Sequence, residues 1–162
     1  MTVYMVPAHR DHIWPLLEKA EESSAGLVAA HGESLYRQIA DGIRYSTLTW
    51  AAVELSDQRL EVLAIGGVRP ICLLAGTGLA WQICGPGVKR HKKRFLKESL
   101  RLVGEMHAIY PHLIAEVVSA VSDDRWLAWL GWRVTAEFTL NGVPMRRIER
   151  RLHGWQVQET VH

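Results

Sequence analysis

Apolar and polar positions change period several times along the chain, and the changes mark its elements. Thr2 to Val6 alternates short β-formers and stops at Pro7, which predicts a first strand. From His9 to Ser23 the apolar residues Ile13, Leu16, Leu17 and Ala20 recur at helical spacing, with Pro15 in the first turns, where its missing N–H costs least. A second helix is predicted over Glu33 to Ile43, with Leu35, Ile39 and Ile43 on one stripe and Gly42 near its end. The period then shortens. Tyr45 to Leu55 is rich in Thr, Tyr, Trp and Val, Ser56-Asp57-Gln58 suits a hairpin turn, and Leu60 to Val68 reads as the returning strand. Beyond Arg69-Pro70 the apolar run continues to Cys84 as a strand pair or one long bent strand.

Gly85-Pro86-Gly87 breaks that run, and Lys89 to Tyr110 is predicted as the longest helix, stopped by Pro111. Leu113 to Val121 is short and nearly all apolar, as a central strand buried on both faces would be. Ser122 or Asp123 caps a short helix carrying Trp126, Leu127, Trp129 and Leu130 and ending at Gly131. Trp132 to Leu140 and Val143 to Leu152 form a hairpin through Asn141-Gly142. The order is β-α-α-β-β-β-α-β-α-β-β, without repeat or linker. It predicts a single α/β domain over residues 1–153, a mixed central sheet flanked by helices. Residues 154–162 are polar and are expected to be a mobile tail, or one ordered only on a partner.

Composition narrows the class without naming a function. With 162 residues, 48% apolar and 22% charged, the chain is long enough for a core without metal or disulfide staples. Lys and Arg total 19 against 17 acidic residues, a net charge of +2, which does not point to nucleic acid or a membrane surface. The apolar stretch from Val62 to Cys84 is long enough to span a bilayer. However, Arg69, Pro70 and four glycines interrupt it, and a charge near a bilayer centre costs about 2.5–3.5 kcal/mol. No basic and apolar leader precedes Arg10, so a cytoplasmic protein is expected. Cys72 and Cys84 read as free, buried thiols in a reducing compartment. The eight histidines include His9/His12 and His107/His112, whose spacings lack the acidic or thiol partners of a metal site, so none is expected.

Two features carry chemistry. A strand ending in glycines and feeding a helix aims backbone N–H groups and the helix dipole at one spot, which suits a phosphate and equally suits a tight structural turn. The run Lys89-Arg90-His91-Lys92-Lys93-Arg94 follows directly. Cations at a helix N-terminus are unfavourable unless an anion is near, so this run is either a solvated first turn or an anion contact. Coenzyme phosphate comes before nucleic acid there, because Phe95 alone supplies no aromatic interleaving.

The element order, with Leu130-Gly131-Trp132 closing the short helix and Gln82-x-x-Gly85-x-Gly87 at the strand end, resembles the GNAT superfamily of acetyl-CoA-dependent N-acetyltransferases. The resemblance covers nearly the whole chain in element order and two stretches in residue detail. It implies acetyl-CoA as cosubstrate and transfer of its acetyl group to an amine. It also implies a coenzyme site at Trp81, Gln82, Ile83, Gly85, Gly87, Val88, Lys89 and Arg90, with the pantetheine arm between that strand and Glu116 to Ser119. Pro86 takes one N–H from the turn, and Gln82 falls one or two residues earlier than the family places it. The run from Gly85 to Arg90-His91, with Trp126-Leu127-Ala128-Trp129-Leu130-Gly131, is more narrowly similar to GNAT-related proteins of tailed phages. That likeness implies an alternative: a catalytically inactive virion or assembly protein, in the host cytoplasm or virion, acting through contacts with other assembly proteins.

Acetyl transfer to an amine needs a base for the ammonium proton and an acid for the leaving thiolate. The tyrosine that supplies the acid in many members sits four residues before the glycine of the Leu-Gly-Phe ending, which here is Leu127. Glu54 and Glu61 on the central hairpin are the candidate bases, with exposed strand residues as the plainer reading of each. The seven tryptophans, three of them around the short helix, are explained by core or interface packing more economically than by ligand stacking.

Overall fold

The computed structural model describes residues 2–20 and 24–152, so the predicted tail at 154–162 lies outside the described residues. The expected strands are present. They are β1 (Thr2–Val6), β2 (Leu48–Ser56), β3 (Arg59–Cys72), β4 (Thr77–Cys84), β5 (His112–Val118), β6 (Arg133–Leu140) and β7 (Val143–Arg151). They form one mixed sheet of order β1-β2-β3-β4-β5-β7-β6, antiparallel except where β4 meets β5. The helices are α1 (Ile13–Ala20), α2 (Ala25–His31), α3 (Leu35–Tyr45), α4 (Lys92–Ile109) and α5 (Asp124–Trp129).

Local chemistry explains most boundaries. Asn141 and Gly142 take positive φ values of 48° and 78°, the backbone a two-residue hairpin between right-twisted strands requires. Asp123 caps α5 by accepting from the N–H groups of Arg125 and Trp126. Ser34 caps α3 the same way through Arg37.

Four expectations need correction. Three helices, not two, separate β1 from β2, because α2 is built of Ala, Gly, Leu and Val without a polar stripe. The strand expected to end at Val68 runs on through Arg69-Pro70 to Cys72, since Pro70 falls beside a bulge where a missing N–H is tolerated. The long helix begins at Lys92. Before it, Pro86–His91 forms a 3-10 helix with Pro86 in its first turn. Cys72 is exposed near the β3–β4 hairpin tip rather than buried. The Cys84 thiol is buried, which pushes it up to about 11 despite the hydrogen bond from Gln82.

Apolar residues pack on both sheet faces. On one face α1 and α3 bring Ile13, Leu16 and Ile39 against Ala51, Val53, Val62 and Ile65. On the other, Phe95, Leu102, Val103 and Met106 of α4 pack on β2 to β5. Trp126 of α5 is half-buried against this second layer, edge-on to Phe95 with ring centroids 5.9 Å apart, while Trp129 is 55% exposed. Hence Trp126→Ala should cost about 2–3 kcal/mol in chemical unfolding, below the range for fully buried aromatics, and Trp129→Ala less than about 0.5 kcal/mol. Equal losses in both would contradict this packing of α5.

Among the described residues no helix is long and apolar enough to cross a membrane.

Candidate active site

The parallel ladder between β4 and β5 is short. It joins Thr77, Gly78 and Leu79 to His112, Leu113 and Ile114, and ends there. Beyond it the paired residues of β4 bond only to β3, and Ala115 to Val118 only to β7. The two strands therefore diverge into a wedge, and the backbone groups facing across it have no strand partner. A cavity of about 230 Å³ opens on the α2–α3 side of this wedge. Its lining takes Leu79, Trp81 and Ile83 from one face of β4 and Ala80 and Gln82 from the other, so the opening reaches between the strands.

Trp81 forms a fixed wall of the cavity. Its Nε1–H donates to Ser46 Oγ at 2.8 Å, and its ring lies so close to Gly42 of α3 that a Cβ there would meet it at 2.6 Å. Ile83 is buried in the α1–α3 core. Gln82 is exposed, and its amide N–H₂ donates to Cys84 Sγ at 2.7 Å.

The glycine turn differs from a simple phosphate cradle. The Gly85 N–H donates to the Leu63 carbonyl at 2.8 Å, and Pro86 has none to offer. Gly87 is required by packing, since a Cβ would lie 2.6 Å from Leu63 Cδ2. Val88 is buried in the same cluster as Leu63 and Phe95. Gly87 is thus accounted for by the close seating of residues 85–91 on β3, whereas a Cβ at Gly85 would meet Leu16 Cδ1 at 3.2 Å and the Leu63 carbonyl oxygen at 3.4 Å, contacts that small shifts can relieve.

The basic run divides. Arg90 folds back onto two carboxylates, Glu54 at 3.2 Å and Glu61. Arg94 donates to the Val3 carbonyl and pairs with Glu98. The exposed ammonium groups of Lys89, Lys92 and Lys93 have no side-chain partner among the described residues.

Glu54 and Glu61 are not the pair of exposed strand residues that their positions suggest. Glu54 is only 3% exposed, and its carboxylate takes a hydrogen bond from Arg90 and another, 3.0 Å long, from His91 Nε2. Burial pushes its pKa up, but the hydrogen bonds from His91 and Arg90 outweigh that and hold it below the ordinary glutamate range. Glu61 is half-buried between Arg90 and Lys19. Neither borders the cavity, whose carboxylates are Glu33, Asp41 and Glu116. Sequence reasoning placed Glu116 beside the wedge without giving it a catalytic role, and missed Glu33 and Asp41. Glu116 lies just past the last paired residue of β5 and accepts from Arg147 at 3.2 Å.

Leu127, at the tyrosine position, packs into the core beneath α5 and lines no part of the cavity. Tyr110 is buried at the end of α4, its hydroxyl 2.7 Å from Thr47 Oγ1. No cluster of His, Cys, Asp or Glu suited to a metal ion occurs among the described residues.

Seven strands in this order, parallel only at a splayed central pair and flanked by helices on both faces, define a GNAT-type α/β fold. Solved acetyltransferase structures superpose on nearly the whole chain. A GNAT superfamily phosphinothricin acetyltransferase from Sinorhizobium meliloti, in complex with AcCoA, aligns with a TM-score of 0.68 at 18% identity, covering 100% of this chain and 96% of its own. The ribosomal-protein-S18-alanine N-acetyltransferase from Escherichia coli aligns at 0.65 and 10% identity, covering 99% and 100%. A GNAT family acetyltransferase from Bacillus anthracis aligns at 0.65 and 7% identity, covering 94% and 96%. No protein-family model matches the chain, and no curated protein sequence matches it. At these identities the likeness is one of fold. These neighbours lend no support to the phage resemblance.

Proposed function

We propose that the protein transfers an acetyl group from acetyl-CoA to a small amine. The observation that carries this reading is the wedge between β4 and β5, with a cavity reaching into it from the α2–α3 side. The residues at the wedge fit the coenzyme's arm, because the unpaired backbone groups of residues 80–84 and 115–118 can bond its amides as a neighbouring strand would. They fit its phosphates less conventionally: Lys89, Lys92 and Lys93 supply charge where the glycine turn supplies few free N–H groups. When bound, the coenzyme brings an acetyl thioester to the wedge.

The chain's own residues then have three tasks. Trp81 and Gly42 shape the cavity that holds the amine. Glu116, at the point of divergence, is the carboxylate that takes the ammonium proton, directly or through water, so that the neutral nitrogen attacks the thioester carbonyl. The C–S bond breaks as the new C–N bond forms. With Leu127 in the acid position, water passes the second proton, lost by the attacking nitrogen, to the departing thiolate.

The test is release of free thiol from acetyl-CoA in the presence of primary amines of graded size. Turnover that falls about 100-fold or more in Glu116→Gln, with folding intact, supports the reading. Thiol release that no amine accelerates contradicts it.

A further inference from the structure

The 3-10 helix Pro86–His91 is held in place by groups that the proposed chemistry does not use. A run of this kind has poor intrinsic hydrogen-bond geometry and depends on its surroundings. Its start is tied by the Gly85 N–H to the Leu63 carbonyl. Its end is tied by Arg90 and His91, both of which bond the same oxygen of Glu54.

Glu54 is an unusual residue for that place. It is the only acidic side chain among the buried described residues, and its direct cross-strand neighbour is Glu61. Two like charges facing each other on adjacent strands are destabilising, and a buried carboxylate costs free energy unless it is paired. An apolar pair would serve the β2–β3 hairpin better. What two glutamates provide is a ready-made seat for a guanidinium, and Arg90 fills it.

The second consequence falls on α4. His91 stands at the helix N-cap, yet no side chain caps the helix, because the imidazole is committed to Glu54 instead. The first-turn N–H groups of α4 are left without a side-chain acceptor beside Lys92 and Lys93, with Lys89 one turn back. An anion at that point would meet the positive end of the α4 dipole and the ammonium groups together.

We infer that Glu54 is a positioning residue: by clasping Arg90 and His91 it fixes residues 86–91, and through them the uncapped first turn of α4 and its lysines, in the arrangement that receives the coenzyme's phosphates. The inference rests on the acetyl-CoA reading above. The clasp prepays the ordering of this segment, so its loss appears as weaker binding by a protein that is still folded.

The experiment compares wild type with Glu54→Gln, which keeps the shape and removes the charge. Calorimetric titration with acetyl-CoA gives affinity and stoichiometry separately, and amide hydrogen exchange of the ligand-free protein gives local order. The expected result is an affinity about tenfold lower at unchanged stoichiometry. Exchange at amides 87–94 should be about tenfold faster, with β3 and β5 protected as before. Unchanged affinity and exchange would overturn the inference while leaving the coenzyme reading intact. So would a reduced stoichiometry at unchanged affinity, the mark of a merely structural role. A wild type that binds no acetyl-CoA removes the coenzyme reading and this inference together. If Glu54→Gln does not fold, His91→Gln, which leaves the Arg90 bond in place, should show the same two changes at smaller size, and no change there overturns the inference.

Discussion

Gly66→Ala should destabilise the protein by about 3 kcal/mol, whereas Gly104→Ala should stabilise it by about 0.5–1 kcal/mol. The chemical change is the same at both positions, and the surroundings set its sign. A Cβ at Gly66 would lie 2.4 Å from Trp50 Cζ2 and 2.8 Å from the Trp81 carbonyl oxygen. The second atom is backbone of the adjoining strand and the first belongs to a buried ring packed on Phe95, so neither yields cheaply. At Gly104, on the exposed side of α4, a Cβ meets nothing within 4 Å and only reduces the freedom of the unfolded chain. Urea unfolding of the two variants measures both. A loss at Gly104 matching that at Gly66 would contradict the placement of Trp50 across β3.

The Glu54 clasp should be visible in the pH dependence of stability. Its folded pKa is depressed, so its contribution is fully present above the ordinary glutamate range and is lost as pH falls through the folded value. Replacing His91 and Arg90 by Ala leaves the carboxylate buried without a cation, and its pKa moves above the unfolded value. The slope then reverses: this variant gains stability as pH is lowered from 7 towards the usual glutamate range, where the wild type does not. A carboxylate left buried and uncompensated costs about 3–5 kcal/mol at neutral pH. Glu54→Gln should flatten the slope without reversing it. Parallel profiles for wild type and the double variant, followed by urea midpoints between pH 4 and pH 7, would contradict the clasp.

The elements legible in the sequence were those specified by neighbouring residues. Asn141-Gly142 fixes its hairpin through local φ preference, Asp123 caps the helix it precedes, and Pro111 ends the helix before it. α2 escaped because a helix of small residues lying over Val118 carries no amphipathic stripe. The glycines within Val62 to Cys84 argue in sequence against a membrane-spanning helix, and Gly66 and Gly67 fall inside the expected strand. In the fold Gly66 and Gly67 are mid-strand, where Trp50 and Trp81 lie across them and leave no room for a side chain.

The candidate site was legible in position more than in chemistry. The wedge falls between the two stretches expected to form it, and Trp81, Gln82 and Ile83 line its cavity. Arg90 and Glu54 are 36 residues apart, and nothing local in either strand or helix announces their contact. The pattern Gly85-x-Gly87 was ambiguous between phosphate and packing for a physical reason: both demand a missing Cβ, and at Gly87 Leu63 supplies the demand.

The central claim is that the β4–β5 wedge receives acetyl-CoA, and direct calorimetric titration of the full chain tests it. The predicted result is one site per chain with a dissociation constant below about 1 mM, equivalent to more than about 4 kcal/mol of binding free energy. Affinity should fall as salt is raised if, as proposed, the exposed Lys89, Lys92 and Lys93 meet the coenzyme's phosphates. No heat at millimolar acetyl-CoA, from protein shown to be folded, would contradict it.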